Sequence, residues 1–543
     1  MTSADVRRAD AAHWSGDVAR EDGDTGGGDW LSGRPTRRTD LAVATGVGLV
    51  VVAVAYAFRS VVVPADPWHY VRSAIEFPSD RWVALGYTRY GIILPAIPVA
   101  RVFGAAQFTY YFWPLLSAGV LAAATYLLGR RWWGPVAGLT AVVLLVANRI
   151  VFYNLSRGYP DLMSMALFVV AVLAALAARD RFVAGRGAAP WLLTVGFLLG
   201  WGFEVRETSM LAWPLVALIL WRRGRLLSSA LLVGLPLLGW AAVDVGVSAW
   251  AYGDPLLKYH VLTGLDVSAA RTKTGEVKNA LMLGQPRLFY FTYIPERALE
   301  RPGGLSMVLM GAAALVGLFV RNGGLRLVSL WFLLVYGLTT LAGGGLDPDH
   351  PRGLLHVERY WIPFFPATAL ATAGLAALAA GWVVRRTPLR DEPGWARRAP
   401  AVALSVLLCA APLAFVSRYA ATDPAFPPGG GAALEELRSE LGARGFAGGR
   451  VFTDWETVRI LPAYQKPFFG GDSVWPGEPR SITGPVKPRP GDHVLLFSAT
   501  SETCPFCRNA LAPWLEKHPE GPPRSWEVLY TAEHDNLVLY RVR

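Results

Sequence analysis

The chain has 543 residues, of which 53% are hydrophobic and only 17% are charged, whereas about 25% of the residues in an average soluble domain are charged. A mean hydropathy of +0.33 over this length exceeds what one or two soluble domains can bury, so the composition argues against a soluble globule and favours a membrane protein. The net charge of +11 indicates either a nucleic-acid surface or basic loops on one side of a membrane.

Long uncharged runs predict about eleven transmembrane helices in the segment 41–417. The predicted spans are 41–57, 107–129, 132–148, 162–178, 187–203, 208–221, 226–243, 302–320, 327–346, 360–384 and 399–417. Most approach the ~20 residues that cross a bilayer, and the short run 208–221 needs its polar flanks or a thinned membrane. The predicted fold class is therefore a polytopic α-helical membrane protein.

Basic residues are concentrated in alternate connections between these spans. The connections contain Arg130 and Arg131; Arg179, Arg181 and Arg186; Arg222, Arg223 and Arg225; Arg321 and Arg326; and Arg385, Arg386, Arg390, Arg397 and Arg398. The positive-inside rule places these connections and the N-terminus in the cytoplasm, and an odd number of spans places the C-terminus outside. Topology thus explains the positive charge, and we predict a lipid bilayer as a partner but no nucleic acid.

The residues outside the spans form three kinds of segment. Residues 1–40 predict a disordered cytoplasmic leader, although a cleavable signal peptide that includes the first apolar run is an alternative. The main outer loops are 58–106, 244–301 and 347–359, and the second is either a lid over the substrate or an ordinary basic loop. Residues 418–543 predict a small extracytoplasmic α/β domain with strands at 450–453 and 493–498 and a closing hairpin over 526–530 and 536–542.

Polar clusters border the spans on the predicted outer side, where placing polar groups is costly and often functional. The first cluster follows the first span, the second precedes a short apolar run at 92–100 that predicts an interfacial helix, and the others open later spans. These clusters contain Asp66, His69 and Tyr70; Arg89; Tyr159 and Asp161; and Arg359 and Tyr360.

In this order, the motifs resemble those of the polyprenyl-phosphate-sugar-dependent transferases of the glycosyltransferase C superfamily, which includes protein O-mannosyltransferases and lipid A aminoarabinose transferases. The matching tags are Asp66 with Tyr70, Phe103-Gly104, Leu128-Gly129-Arg130-Arg131 with Trp132-Trp133-Gly134, Tyr159-Pro160-Asp161, and Arg359-Tyr360 with Pro363. They extend over about two-thirds of the chain, and their order carries the inference. The resemblance implies a glycosyltransferase C-like fold and sugar transfer from a polyprenyl-phosphate donor to a glycan, lipid or protein acceptor.

The resemblance also implies roles for individual residues. Asp66 is expected to be the general base that takes the proton of the acceptor hydroxyl, with inversion at the sugar, and Asp161 to be the second catalytic carboxylate. Arginine suits phosphate because its planar fork donates two parallel hydrogen bonds. The residues expected to bind the donor phosphate or substrate are His69, Tyr70, Arg89, Arg206, Arg359 and Tyr360.

Each of these residues also has a structural interpretation. Asp161 lies at a predicted helix start, where the helix dipole favours a carboxylate. Arg206 could pair with its neighbours Glu204 and Glu207, and Arg359 could pair with Glu358. Tyr70 and Tyr360 could be anchors of the aromatic belt. The chain departs from the family at Pro67, where mannosyltransferases often carry a second acidic residue, and at Arg89, where aminoarabinose transferases have a Lys-Pro pair.

Metal and cysteine chemistry are weakly indicated. Metal dependence varies in the superfamily, so a divalent metal stays open, but Asp347-Pro348-Asp349-His350 is more typical of a solvated acidic turn and no metal ligand is assigned. Cys409 lies in the last span and is expected to be inert. Cys504 and Cys507 are a disulfide candidate in an oxidising compartment, with a thioredoxin-like redox site as the alternative.

Two other functions compete with sugar transfer. A transporter or flippase of lipid-linked glycans would place polar, broken helices in corresponding positions of two halves near the midplane, which the sequence does not show. A non-catalytic scaffold would explain the C-terminal domain but not the ordered motifs.

Overall fold

The computed structural model describes residues 37–543 except 63, 65, 79–87, 222–225, 264–281, 352–354, 423–431, 446–447, 498–504 and 533–536. The described chain forms a helical membrane module followed by a small domain built on a five-stranded sheet. The predicted leader lies outside the described residues except for its last four positions. These residues belong to the first helix, which begins at Arg37 rather than Leu41, and Asp40 pairs with Arg130 there at 2.5 Å.

The membrane module consists of sixteen described α-helices. In chain order they are α1 Arg37–Ala57, α2 Asp66–Ile75, α3 Tyr90–Phe103, α4 Gln107–Trp133, α5 Pro135–Val146, α6 Arg149–Asn154, α7 Pro160–Val183, α8 Ala189–Val205, α9 Trp213–Leu220, α10 Leu226–Tyr252, α11 Leu257–Thr263, α12 Arg287–Leu299, α13 Gly304–Gly317, α14 Gly323–Thr340, α15 Phe365–Arg386 and α16 Gly394–Thr422. Helical 3₁₀ turns at Glu207–Ala212 and Glu358–Phe364 lead into α9 and α15.

Seven of the helical segments are long and apolar enough to cross a bilayer. They are Arg38–Ala57, Gln107–Trp133, Pro160–Phe182, Leu226–Tyr252, Gly323–Gly345, Glu358–Arg386 and Gly394–Thr422. The other four predicted spans form the shorter apolar helices Pro135–Val146, Ala189–Val205, Glu207–Leu220 and Gly304–Gly317. The polytopic helical fold class is confirmed, while the number of crossings stays a prediction.

The predicted outer loops contain more helix than expected. The loop 58–106 contains α2 and α3, and α3 includes the predicted interfacial helix 92–100. The prediction that a loop begins at Asp244 is wrong, because α10 continues to Tyr252. The carboxylate of Asp244 is accommodated there by Ser248, whose hydroxyl lies 3.4 Å away. The central part of the predicted lid, residues 264–281, lies outside the described residues.

Close backbone contacts fix the ends of the helices that carry the predicted site. The backbone N–H of Ser60 donates to the hydroxyl of Ser156 at 3.1 Å, which ties the segment before α2 to the turn before α7. A Cβ at Gly158 would approach the Cβ of Pro67 to 3.2 Å, and one at Gly91 would lie 2.5 Å from the backbone nitrogen of Val205. These small residues let the starts of α2 and α3 approach the neighbouring helices closely.

The C-terminal domain has α/β architecture, as predicted. Its strands are β1 Arg450–Thr453, β2 Glu478–Ser481, β3 His493–Phe497, β4 Glu527–Thr531 and β5 Leu537–Arg541, in the order β2-β1-β3-β5-β4. Strand β1 pairs in parallel with β2 and β3, whereas β5 pairs antiparallel with β3 and β4. The helices of the domain are α17 Ala432–Ala443, α18 Trp455–Gln465 and α19 Pro505–Leu515.

The C-terminal domain is packed onto the membrane module beside the start of α2. The backbone N–H of Val62 donates to the hydroxyl of Tyr464 at 3.1 Å, and Phe468 stacks on Tyr111 with ring centroids 6.2 Å apart. The amide of Gln107 donates to Glu435 at 2.6 Å. Cys409 is a buried free cysteine, as expected, whereas Cys504 and the side chain of Cys507 lie outside the described residues, so their disulfide stays a prediction.

Candidate active site

Asp161 forms the buried centre of the site. Only 3% of its side chain is exposed, and its two carboxylate oxygens face two guanidinium groups, Arg206 Nε at 2.9 Å and Arg359 Nε at 3.4 Å. Asp161 lies in the first turn of α7, where Pro160 starts the helix and the helix dipole favours a carboxylate. A carboxylate buried so deeply is stable only when paired in this way.

Asp66 occupies the opposite environment although it shares an arginine with Asp161. It begins α2, and 58% of its side chain is exposed. Its one ion-pair contact among the described residues is with Arg359 Nη2 at 3.7 Å. Arg359 therefore bridges the two carboxylates that the sequence predicted, one accessible and one enclosed.

Aromatic rings enclose the two arginines. The guanidinium carbon of Arg206 lies 4.2 Å from the ring centre of Tyr360, and that of Arg359 lies 4.1 Å from the ring centre of Tyr159. Stacking of this kind favours arginine because its planar cation is weakly hydrated. The rings hold both guanidinium groups in position beside Asp161.

Tyr70 and Arg89 lie on the side of the site formed by α2 and α3. Arg89 is buried, and it donates to the backbone carbonyl of Val205 at 2.8 Å and lies 3.5 Å from Glu207. Its guanidinium carbon is 6.0 Å from the ring centre of Tyr70, a ring that is itself buried. Tyr70 thus packs inside the protein and does not anchor the chain at the lipid interface.

His69 lies within electrostatic range of the C-terminal domain. Burial, together with the nearby guanidinium of Arg459 on α18, lowers the pKa of His69 below its ordinary value. The imidazole is therefore neutral at neutral pH and adds no positive charge to the site. Because Arg459 acts on His69, the C-terminal domain lies within electrostatic reach of the residues around Asp66.

The structure replaces two local ion pairs that the sequence allowed. Arg206 pairs with Asp161 and not with its neighbours, because Glu204 binds Lys258 at 2.7 Å and Glu207 faces Arg89. Glu358 likewise pairs with Arg301 at 3.0 Å, which leaves Arg359 to Asp66 and Asp161. At these helix ends, the ion-pair partners of Arg206 and Arg359 come from segments that are distant in the sequence, and not from the neighbouring glutamates.

Three further residues, to which the sequence assigned no role, complete the site. Glu207 positions Arg89, Tyr159 covers Arg359, and Lys258 neutralises Glu204. Tyr159 was signalled by the tag Tyr159-Pro160-Asp161, and the other two only by charge near a span end. The contact between Lys258 and Glu204 could not be predicted from the sequence, because more than fifty residues separate the two.

Among the described residues, no group of three or more His, Cys, Asp or Glu side chains is placed to hold a metal ion. Asp66 and Asp161 lie with arginines, which are not ligands for a cation. At the turn Asp347-Pro348-Asp349-His350, the imidazole of His350 lies 3.1 Å from Asp347 with both side chains exposed. Within the described part of the chain, the residues around Asp66 and Asp161 therefore do not fit a divalent metal.

Comparison with known proteins extends the resemblance drawn from the motifs. Residues 97–248 match the family model of the dolichyl-phosphate-mannose-protein mannosyltransferases, a segment that includes Asp161 and Arg206. No curated protein sequence matches the chain.

Several solved structures are similar in overall shape at low identity. ArnT from Cupriavidus metallidurans in the apo state has a TM-score of 0.49 and 13% identity, covering 93% of this chain and 98% of that one, and its complex with undecaprenyl phosphate has a TM-score of 0.48 and 14% identity, covering 93% and 97%. The oligosaccharyltransferase AglB from Archaeoglobus fulgidus, in complex with an inhibitory peptide and a dolichol-phosphate, has a TM-score of 0.44 and 13% identity over 88% of this chain and 71% of that one. Because these scores are below 0.5, only the family match bears on the resemblance. That match extends over residues 97–248, less than a third of the chain, and it agrees with the resemblance to glycosyltransferases that use lipid-phosphate-linked sugars.

Proposed function

We propose that this enzyme moves a sugar from a polyprenyl-phosphate donor to an acceptor hydroxyl on the outer face of the membrane, with Asp66 as the general base and inversion at the anomeric carbon. The observation that carries the proposal is the contrast between its two carboxylates. Asp66 is accessible and has one arginine at 3.7 Å, whereas Asp161 is enclosed by two arginines. Only the first can reach a substrate without breaking the buried ion pairs.

The chemistry needs one base and an anion site. The acceptor oxygen bonds to the anomeric carbon, its proton passes to the carboxylate of Asp66, and the bond from the anomeric carbon to the phosphate oxygen breaks. The polyprenyl phosphate leaves as a stable anion, so no strong acid is required. Attack from the face opposite the phosphate gives inversion.

The arginines support the leaving phosphate. Arg359 is the one that contacts the exposed carboxylate, and its guanidinium is only partly buried, so it is available to a substrate phosphate beside Asp66. Arg89 and Arg206 are buried against Glu207 and Asp161. We assign them to holding the positive side of the site in place, with Tyr70, Tyr360 and His69 shaping it around the substrate.

The proposal includes an orientation. The residues of the site gather at the ends of helices that the arginine distribution predicts to be extracytoplasmic, and the basic connections gather at the other ends. The N-terminus would then be cytoplasmic and the C-terminal domain extracytoplasmic, next to the acceptor. Site-directed labelling of single cysteines introduced at 180 and 456 from the two sides of sealed vesicles tests this orientation.

Asp66→Asn tests the base directly. In purified full-length protein, we expect transfer from a panel of polyprenyl-phosphate sugars to fall by about 10²-fold or more, the range for loss of a general base, with binding of the lipid donor retained. Asp180→Asn is the matched control, because Asp180 is similarly exposed and also pairs with one arginine, Arg131 at 2.7 Å. Full transfer by the Asp66 variant would overturn the base assignment.

A further inference from the structure

A cleft opens next to the candidate active site. It has a volume of about 590 Å³ and lies between α6, the start of α7, α12, the turn 356–359 and the end of α16. Arg359 and Tyr159 belong to both the cleft and the site. A molecule in the cleft would therefore reach the arginine that contacts Asp66.

More arginines than carboxylates line the cleft. Its lining contains five arginines, Arg149, Arg157, Arg297, Arg301 and Arg359, and the acidic residue Glu358. Three of the arginines have carboxylate partners, since Arg297 pairs with Glu300, Arg301 with Glu358, and Arg359 with Asp66 and Asp161. Arg149 and Arg157 have no carboxylate within 4.0 Å among the described residues.

Arg157 is the unusual member of this set. Only 6% of it is exposed, and its Nε has no hydrogen-bond partner among the described residues. Its guanidinium carbon lies 3.4 Å from the ring centre of Tyr153, which packs near Tyr419, and the guanidinium of Arg149 lies 5.0 Å from the Tyr419 ring. A buried cation without an anion is costly, so two arginines fixed on tyrosine rings at a cleft indicate a site that an anion completes.

We propose that this cleft binds a phosphate group of the acceptor between Arg149 and Arg157, so that the acceptor hydroxyl reaches Asp66 past Arg359. This assignment rests on the proposed function, and it narrows the acceptor class to phosphate-bearing molecules. A phosphate accepts the forked hydrogen bonds that arginine donates, and the flanking tyrosines provide flat surfaces for the attached sugar or lipid.

Inorganic pyrophosphate titrated into detergent-solubilised full-length protein tests the site. We expect binding that Arg157→Gln and Arg149→Gln each weaken by about tenfold or more, the size of a lost charge-assisted contact. Arg131→Gln makes the same change in net charge outside the cleft and should leave binding within about twofold. Equal binding by Arg157→Gln, Arg149→Gln and wild type would overturn the proposal.

A second arm distinguishes the acceptor phosphate from the donor lipid. The titration is repeated with polyprenyl phosphate at saturation, and the same pyrophosphate affinity is expected, whereas competition between the two would place the anion in the donor site and overturn the assignment. Retained polyprenyl phosphate binding also shows that Arg157→Gln is folded. In the transfer assay, Arg157→Gln should lose sugar transfer to the native membrane acceptor, and unchanged transfer would contradict the acceptor role.

The two proposals can fail separately. Asp66→Asn should bind pyrophosphate as wild type does while losing transfer. If wild type transfers no sugar from any donor, the proposed function fails, and the pyrophosphate titration still decides whether the cleft binds an anion.

Discussion

Asp66 and Asp161 share Arg359 but differ in everything else that decides what a carboxylate can do. Asp161 is 3% exposed and is held by two guanidinium groups, while Asp66 is 58% exposed and lies 3.7 Å from one. A buried, doubly paired carboxylate orients its partners, and an accessible one can exchange its partner for a substrate. The comparison separates the group that builds the site from the group that we propose reacts in it.

Asp161→Asn should have the largest effect on the protein as a whole. Removing this charge leaves Arg206 buried beside a neutral partner, and breaking a buried pair in this way costs about 3–5 kcal/mol. SDS-driven unfolding in mixed micelles measures the loss. Asp66→Asn removes an exposed partner and should cost less than about 1 kcal/mol in the same assay. Equal losses would remove the distinction between the two carboxylates.

Arg359→Gln sharpens the comparison through a double-mutant cycle. Stability is measured for the single variants and for the pairs with Asp161→Asn and Asp66→Asn. Because the contact with Asp161 is buried and that with Asp66 is exposed, we expect a coupling energy of about 1–3 kcal/mol with Asp161 and below about 0.5 kcal/mol with Asp66. The reverse order would show that Asp66 is the structural carboxylate.

The sequence singled out candidate residues of this site but not their partners. Asp66, Asp161 and Arg359 stand out because each follows or opens an apolar span, and the family resemblance suggests their roles, which stay predictions. Their pairing depends on how α2, α7 and the turn before α15 pack, and almost three hundred residues separate Asp66 from Arg359. Local charge patterns suggested Glu358 for Arg359 and Glu204 or Glu207 for Arg206, and the folded chain overrides both.

The sequence predicted the long helices of the fold, but it did not predict all of their ends or all of the strands. Apolar runs located the seven long apolar helical segments of the described residues, because a bilayer demands continuous hydrophobic length. The extension of α10 to Tyr252 was missed because Asp244 interrupts the run, and its carboxylate is compensated by Ser248 and by Lys258 at 4.0 Å. Strand β2 was missed because its sequence, Glu478-Pro479-Arg480-Ser481, has little β propensity and pairs at the sheet edge.

Arg206→Lys tests whether the planar guanidinium of Arg206 is needed for its pairing with the buried Asp161. Lysine keeps the charge but cannot reproduce the guanidinium that faces Asp161 and stacks on Tyr360. We expect a loss of about 1–2 kcal/mol in the SDS unfolding assay, the scale of a hydrogen bond to a charged group. Arg131→Lys is the control, since its pair with Asp180 is exposed and the change should cost below about 0.5 kcal/mol.

The smallest effect is expected at the turn Asp347-Pro348-Asp349-His350, whose side chains are as accessible as Asp66 but far less constrained. His350 is 84% exposed and Asp347 is 60% exposed, and their 3.1 Å contact joins neighbours within one turn. Asp347→Asn combined with His350→Gln should change stability by less than about 0.5 kcal/mol, sugar transfer by less than about twofold, and the response of transfer to EDTA not at all. If EDTA abolished transfer, and added Mg²⁺ or Mn²⁺ restored it in the wild type but not in this double variant, the turn would instead be a metal site. We propose a catalytic role for Asp66 and none for Asp347, because Asp66 lies beside Arg359, which also pairs with the buried Asp161.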